Sequence, residues 1–145
     1  MPVKITQLQE YSCFRELTED QLAAIGQLAN VVVYSSGHTL FEDGKSGDFI
    51  YLLTNGEVEV LYSIGEGGPI QVDRIYAKEL IGCSVLIPPY TYTATTRSLT
   101  KIEVLQIDAE ALRKLMKEHC QLGFAIQKQI MQMLMDRIIS LRLGV

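Results

Sequence analysis

Apolar and polar positions alternate with two different periods along this chain, and the switches between them mark its elements. Leu22, Ile25 and Leu28 recur at helical spacing behind a capping box formed by Thr18 and Gln21, which predicts a helix over 13–30. Val31-Val32-Val33-Tyr34 then turns to β-branched strand chemistry. Ser35-Ser36-Gly37 bends the chain, 38–41 extends again, and Asp43-Gly44 with Ser46-Gly47 brackets another turn. Segments 48–53 and 57–62 are predicted to form a hairpin through Asn55-Gly56, since a type I′ turn needs positive φ at both central positions. Within the second, Glu57, Glu59 and Leu61 alternate with Val58, Val60 and Tyr62, one face in and one mostly out. A loose turn at Gly65 to Pro69 leads to a strand over 70–75. After a segment at 80–91, strands are expected at 92–98 and 101–107.

The helical period returns at the end. Asp108 caps a helix opening Ala109-Glu110-Ala111-Leu112, and a second, longer one runs from Gln121 to about Leu143. That last helix carries two apolar stripes. Ile126, Ile130 and Met133 form one; Met131, Leu134, Ile138 and Leu141 form the other, with the alternating three- and four-residue spacing of a coiled-coil seam. Two stripes cover more than the arc needed to pack on one domain. The order is helix, seven or eight short strands, then two helices, a mainly β antiparallel roll rather than a βαβ fold.

Composition narrows the function. With 145 residues the chain has the length of one domain. Its mean hydropathy of +0.15 and 48% hydrophobic content fit a packed core. Seventeen acidic against 13 basic residues give a net charge of −4, which argues against a nucleic-acid footprint. No apolar run approaches a membrane span, and MPVKITQLQEYSCF lacks a secretory signal's apolar core, so a cytoplasmic location is expected. Cys13, Cys83 and Cys120 form no paired motif and His38 and His119 stand apart, so no metal site is expected.

Gly37-His38-Thr39-Leu40-Phe41-Glu42-Asp43-Gly44, followed by Asp48 to Leu53 with Gly56 and Val58, resembles the cyclic-nucleotide-binding domain of the catabolite activator protein superfamily. The resemblance runs from about Phe14 to Leu143. It implies a jelly-roll-like β-roll over about 31–107, with one helix before it and two after it (109–143). For Gly37, Gly44, Gly56, Phe41, Tyr51 and Leu53 it implies structural roles. One domain over 1–145, without a DNA-binding domain, is the expected organisation.

The resemblance also implies where a ligand would sit. A short helix and loop late in the roll cradle the cyclic phosphate, a glutamate after a glycine takes the ribose hydroxyl, and an arginine pairs the phosphate. Here Gly82 matches the glycine, Cys83 falls where the glutamate belongs, and the arginine position falls on Tyr92, or on Thr91 with a one-residue shift. Glu79 and Arg97 are the nearest charged substitutes, the first out of register and the second deep in the following strand. Loss of a charge-assisted pair costs decades of affinity, so binding of cAMP or cGMP in the usual manner is not expected. Gly82, Cys83, Ser84, Val85, Thr91, Tyr92 and Thr93 are the candidate ligand contacts. Hydroxyls, including that of Thr95, and the flat surfaces of Tyr90 and Tyr92 suit a less charged small molecule; alternatively Tyr92 closes the space itself.

Cys83, at the start of a short helix, is predicted to have a lowered thiol pKa, which makes a redox sensor the lesser alternative. No nucleophile or acid–base set suggests an enzyme, and no catalytic residue or resident cofactor is assigned. The expected partners are a second copy, joined through Ile130, Met131, Leu134, Ile138 and Leu141, and a separate effector protein. Neither nucleic acid nor membrane is expected as a partner.

Overall fold

In a computed structural model, residues 3–63 and 67–144 are described. The loose turn expected at 65–69 lies partly outside them. Thr18 caps a helix as predicted, accepting from the Gln21 amide while the Gln21 side chain accepts from the Thr18 amide. That helix spans only Glu19–Gly26, however. The segment before it is a separate short helix, Ile5–Leu8 (α1), and a 3-10 turn, Ser12–Phe14. A cap needs extended backbone at Thr18, so the helix capped there (α2, Glu19–Gly26) cannot begin at Cys13.

Among the described residues eight strands follow: β1 (Ala29–Tyr34), β2 (Thr39–Phe41), β3 (Phe49–Asn55), β4 (Val58–Ser63), β5 (Pro69–Ile75), β6 (Leu80–Ile81), β7 (Thr95–Ser98) and β8 (Ile102–Asp108). They form two four-stranded antiparallel sheets, ordered β1-β8-β3-β6 and β2-β7-β4-β5. Two helices close the chain, α3 (Ala109–Glu118), capped by Asp108, and α4 (Cys120–Leu143).

The expected hairpin through Asn55-Gly56 does not form. β3 pairs with β8 and β6, whereas β4 pairs with β5 and β7, so the chain changes sheets at this point. Only Gly56 takes a positive φ, 97°; Asn55 still belongs to β3. A Cβ on Gly56 would lie 2.6 Å from the Lys101 carbonyl oxygen, so the corner needs glycine for space as well as conformation. The predicted alternation in β4 also breaks. A register shift between Val60 and Leu61 buries Leu61 and leaves Tyr62 exposed.

Two apolar layers explain the unbroken run Phe49–Leu53. Ile50 and Leu52 point toward the helices, where they join Leu105 and Ile107 of β8, Leu22 and Ile25 of α2, and Leu112, Leu122 and Ile126. Tyr51 and Leu53 point into the roll, onto Val58, Ile75, Ile81, Ile102 and Val104. A strand covered on both faces shows no polar alternation.

Candidate functional site

The segment after β6 builds one end of the roll. Gly82 opens a 3-10 turn over Cys83–Leu86, and the loop to β7 returns past Tyr90 and Tyr92. Val85 is fully buried in the layer under the helices and turned away from the roll's interior. A Cβ on Gly47 would overlap the Val85 side chain, so the turn at Ser46-Gly47 docks here only because residue 47 has none. Ser46 pairs with Thr91 as an isolated bridge, and the Ser84 hydroxyl donates to the Thr91 carbonyl at 3.0 Å. Both hold the loop shut on the turn.

Tyr92 is the most constrained side chain in this segment. It is 5% exposed. Its ring stacks on Phe41 with centroids 3.8 Å apart and planes 9° from parallel. Its hydroxyl donates to the Phe49 carbonyl at 2.6 Å and accepts from the Phe49 amide at 3.1 Å. Burial raises the phenol pKa above its ordinary value, so the side chain stays neutral. β7 starts at Thr95, so Tyr92 belongs to the loop rather than to the strand expected from 92.

A cavity of about 150 Å³ remains in the roll beside this tyrosine. Phe41, Val60, Ile75, Leu80 and Ile81 give it apolar walls. Gly82, Cys83, Ser84 and Thr93, four of the predicted contacts, line it together with Ala94 and Thr96. Val85, Thr91 and Tyr92 do not. The walls contributed by β4 and β5 could not be read from the sequence, because they come from the strands that change sheets at Gly56. Among the described lining residues, none is charged. Pockets for drug-sized ligands run to about 300–1,000 Å³, so this one is too small for a nucleotide as it stands.

The charged residues nearby are engaged elsewhere. Arg97 points out of the roll, where its Nε and Nη2 contact Glu59 Oε2 at 3.1 and 3.0 Å. The hydrogen bond from Gln71, with that from Arg97, holds the Glu59 carboxyl below its usual range. Glu79 accepts from the Tyr76 amide and pairs with Arg137 of α4 at 2.9 Å. Arg137 also pairs with Asp73 of β5. Tyr90 lies outside the cavity, on the far side of the loop, with the Arg113 guanidinium 4.3 Å from its ring centroid. There it borders a separate polar cleft of about 420 Å³ that also includes Asp48, Asp108 and Glu110.

Cys83 departs from its predicted chemistry. Burial pushes its thiol pKa up, not down, because desolvation of the thiolate outweighs what one short 3-10 turn offers it. This direction is the reverse of the lowering on which the redox-sensor alternative rested.

The sequence profile of the cyclic nucleotide-binding domain matches residues 31–119, more than half of the chain. The chain belongs to that family. A protein of Geobacter metallireducens proposed to bind cyclic nucleotides has the same fold over 94% of this chain and 98% of its own, with a TM-score of 0.85 and 26% identity. Over 110 residues the domain is 27% identical to a cGMP-dependent protein kinase of Caenorhabditis elegans. Over 125 residues it is 22% identical to the CRP-like cAMP-activated global transcriptional regulator of Mycobacterium tuberculosis. Those alignments cover 74% and 86% of this chain but only 14% of the kinase and 54% of the regulator. Among the described residues of this cyclic nucleotide-binding domain, no helix is long and apolar enough to cross a membrane.

The helix after the roll presents the predicted stripes on adjacent faces, one covered by the domain and one exposed. Ile126 is buried, Ile130 and Met133 are half-buried, and the first two pack on the domain's own core. Ile130, expected at the interface with a second copy, therefore sits on the inward stripe. Met131, Leu134, Ile138 and Leu141 are exposed, Leu141 by 74%, and Phe124, Met135, Ile139 and Leu143 extend the bare surface.

Proposed function

We propose that this domain is a non-catalytic regulatory module that does not hold cAMP or cGMP in the usual manner. On this reading it works in the cytoplasm as a homodimer through the outer stripe of α4 and passes its state to a separate effector protein. The observation that carries the first half is Tyr92. Where the resemblance places a phosphate-pairing arginine, a neutral ring is stacked on Phe41 and hydrogen-bonded twice to Phe49. Cys83, which the resemblance sets in the ribose position, is a half-buried thiol whose pKa desolvation raises. A cyclic phosphate brought here would lose its water without gaining a cation, which costs several kcal/mol.

The dimer rests on the bare outer stripe of α4, larger and more continuous than the scattered apolar residues of an ordinary monomer surface. Two measurements test the reading. Thermal denaturation with cAMP or cGMP at micromolar concentration is expected to show no shift, and a rise of several degrees would overturn it. Light scattering is expected to give twice 16.2 kDa, and a single-chain mass would remove the dimer.

A further inference from the structure

We propose that the cavity beside Tyr92 is a binding site for a small uncharged ring compound carrying one hydrogen-bonding group, of the size of a phenol. This rests on the reading above, that the cavity is not a nucleotide site. Three features of the cavity specify the ligand. Its volume, about 150 Å³, matches a space that accepts a single benzene-sized ring and excludes a nucleoside. Its walls, Val60, Ile75, Leu80, Ile81 and Phe41, are apolar and come from both sheets, so a ring inserted there covers apolar surface. Its polar lining is hydroxylic and uncharged, with Thr96 of β7 only 2% exposed in the cavity wall. An anion finds no counter-charge, and a cation finds no carboxylate. A neutral donor–acceptor such as a phenolic hydroxyl finds a threonine.

Tyr92 is not a wall of the site, but its ring stacks on Phe41, which is one. Cys83 lines the same space, and with its thiol pKa raised it brings no charge there.

The test is a titration of the full chain with 4-fluorophenol, followed by fluorine and methyl NMR. 4-Fluorophenyl phosphate and cAMP serve as parallel titrants. The expected result is saturable shifts confined to the methyl groups of Val60, Ile75, Leu80 and Ile81, with none from the phosphate ester. Val60→Phe, which fills the cavity, is expected to abolish them. Thr96→Val, which keeps shape and removes the hydroxyl, is expected to weaken binding by about 2- to 12-fold; this variant carries the test should Val60→Phe fail to fold. Shifts that do not saturate, that scatter over the surface, or that survive in both variants overturn the proposal. The same holds if the phosphate ester binds equally well. Saturable binding of cAMP at this site would instead overturn the regulatory reading itself, so the two failures are distinguishable.

Discussion

The end of the roll at Tyr92 and the outer face of α4 are opposites. At Tyr92 every polar atom is paired and both ring faces are covered or docked, so the position that carries a ligand contact in the resembled domain has become part of the core. On α4, eight large apolar side chains are exposed. The contrast separates two things that a signalling domain must do. On the proposed reading, the first region no longer receives a charged messenger, while the second offers a surface through which a state would pass.

The comparison breaks most visibly at Tyr92. Replacing it with alanine removes a buried aromatic and is expected to cost about 3–5 kcal/mol in urea unfolding. Tyr92→Phe, which strips only the pair of bonds to Phe49, should cost about 1–3 kcal/mol. A loss below about 0.5 kcal/mol in both would mean that the ring is a movable plug.

On the other side, Leu134→Glu with Ile138→Glu should halve the mass seen by light scattering while the fold persists, since exposed substitutions rarely move stability by more than about 0.5 kcal/mol. Collapse of the fold instead would show that the outer stripe supports its own subunit. Arg137→Ala removes the pairs to Asp73 and Glu79; with all three side chains more than a third exposed, solvent screening limits the expected loss to about 1 kcal/mol.

Two smaller effects sharpen the picture. Glu59 has a lowered pKa in the fold, so its contribution is present above the unfolded value of about 4.3 and is lost as pH falls through the folded one. Gln71→Ala removes the largest cause of that lowering and should flatten the acid limb of a stability–pH curve below about pH 4.3. For the thiols, iodoacetamide should modify exposed Cys120 first. Cys83 should follow with an apparent pKa above about 8.5. Cys13, whose pKa burial pushes up to about 12, should react last.

Much of this architecture was legible because its signals are local. Thr18 and Gln21 cap each other across one turn, Asp108 caps α3, and Gly37, Gly44 and Gly56 take positive φ at the predicted turns. Tyr92 was singled out from the sequence too, as a residue at this end of the roll. The failures were non-local. Asn55-Gly56 looks like a hairpin until β3 finds β8, and nothing within the dipeptide records that pairing. Tyr92 is fixed by Phe49, 43 residues away, so neither its depth nor its bonds follow from its neighbours. Cys83 illustrates competition between rules, where a local argument from a helix start lost to burial by distant strands.

Arg137 holds a carboxylate from β5 with one arm and a carboxylate from just before β6 with the other. A planar fork gripping two fixed points resists torsion, which a single flexible ammonium cannot do. Successive helical residues are about 100° apart around the axis, so even a one-residue roll of α4 would tear the fork from both anchors. The clamp thus biases the rotational setting of α4 by about 1 kcal/mol, and with it the bearing of the outer stripe.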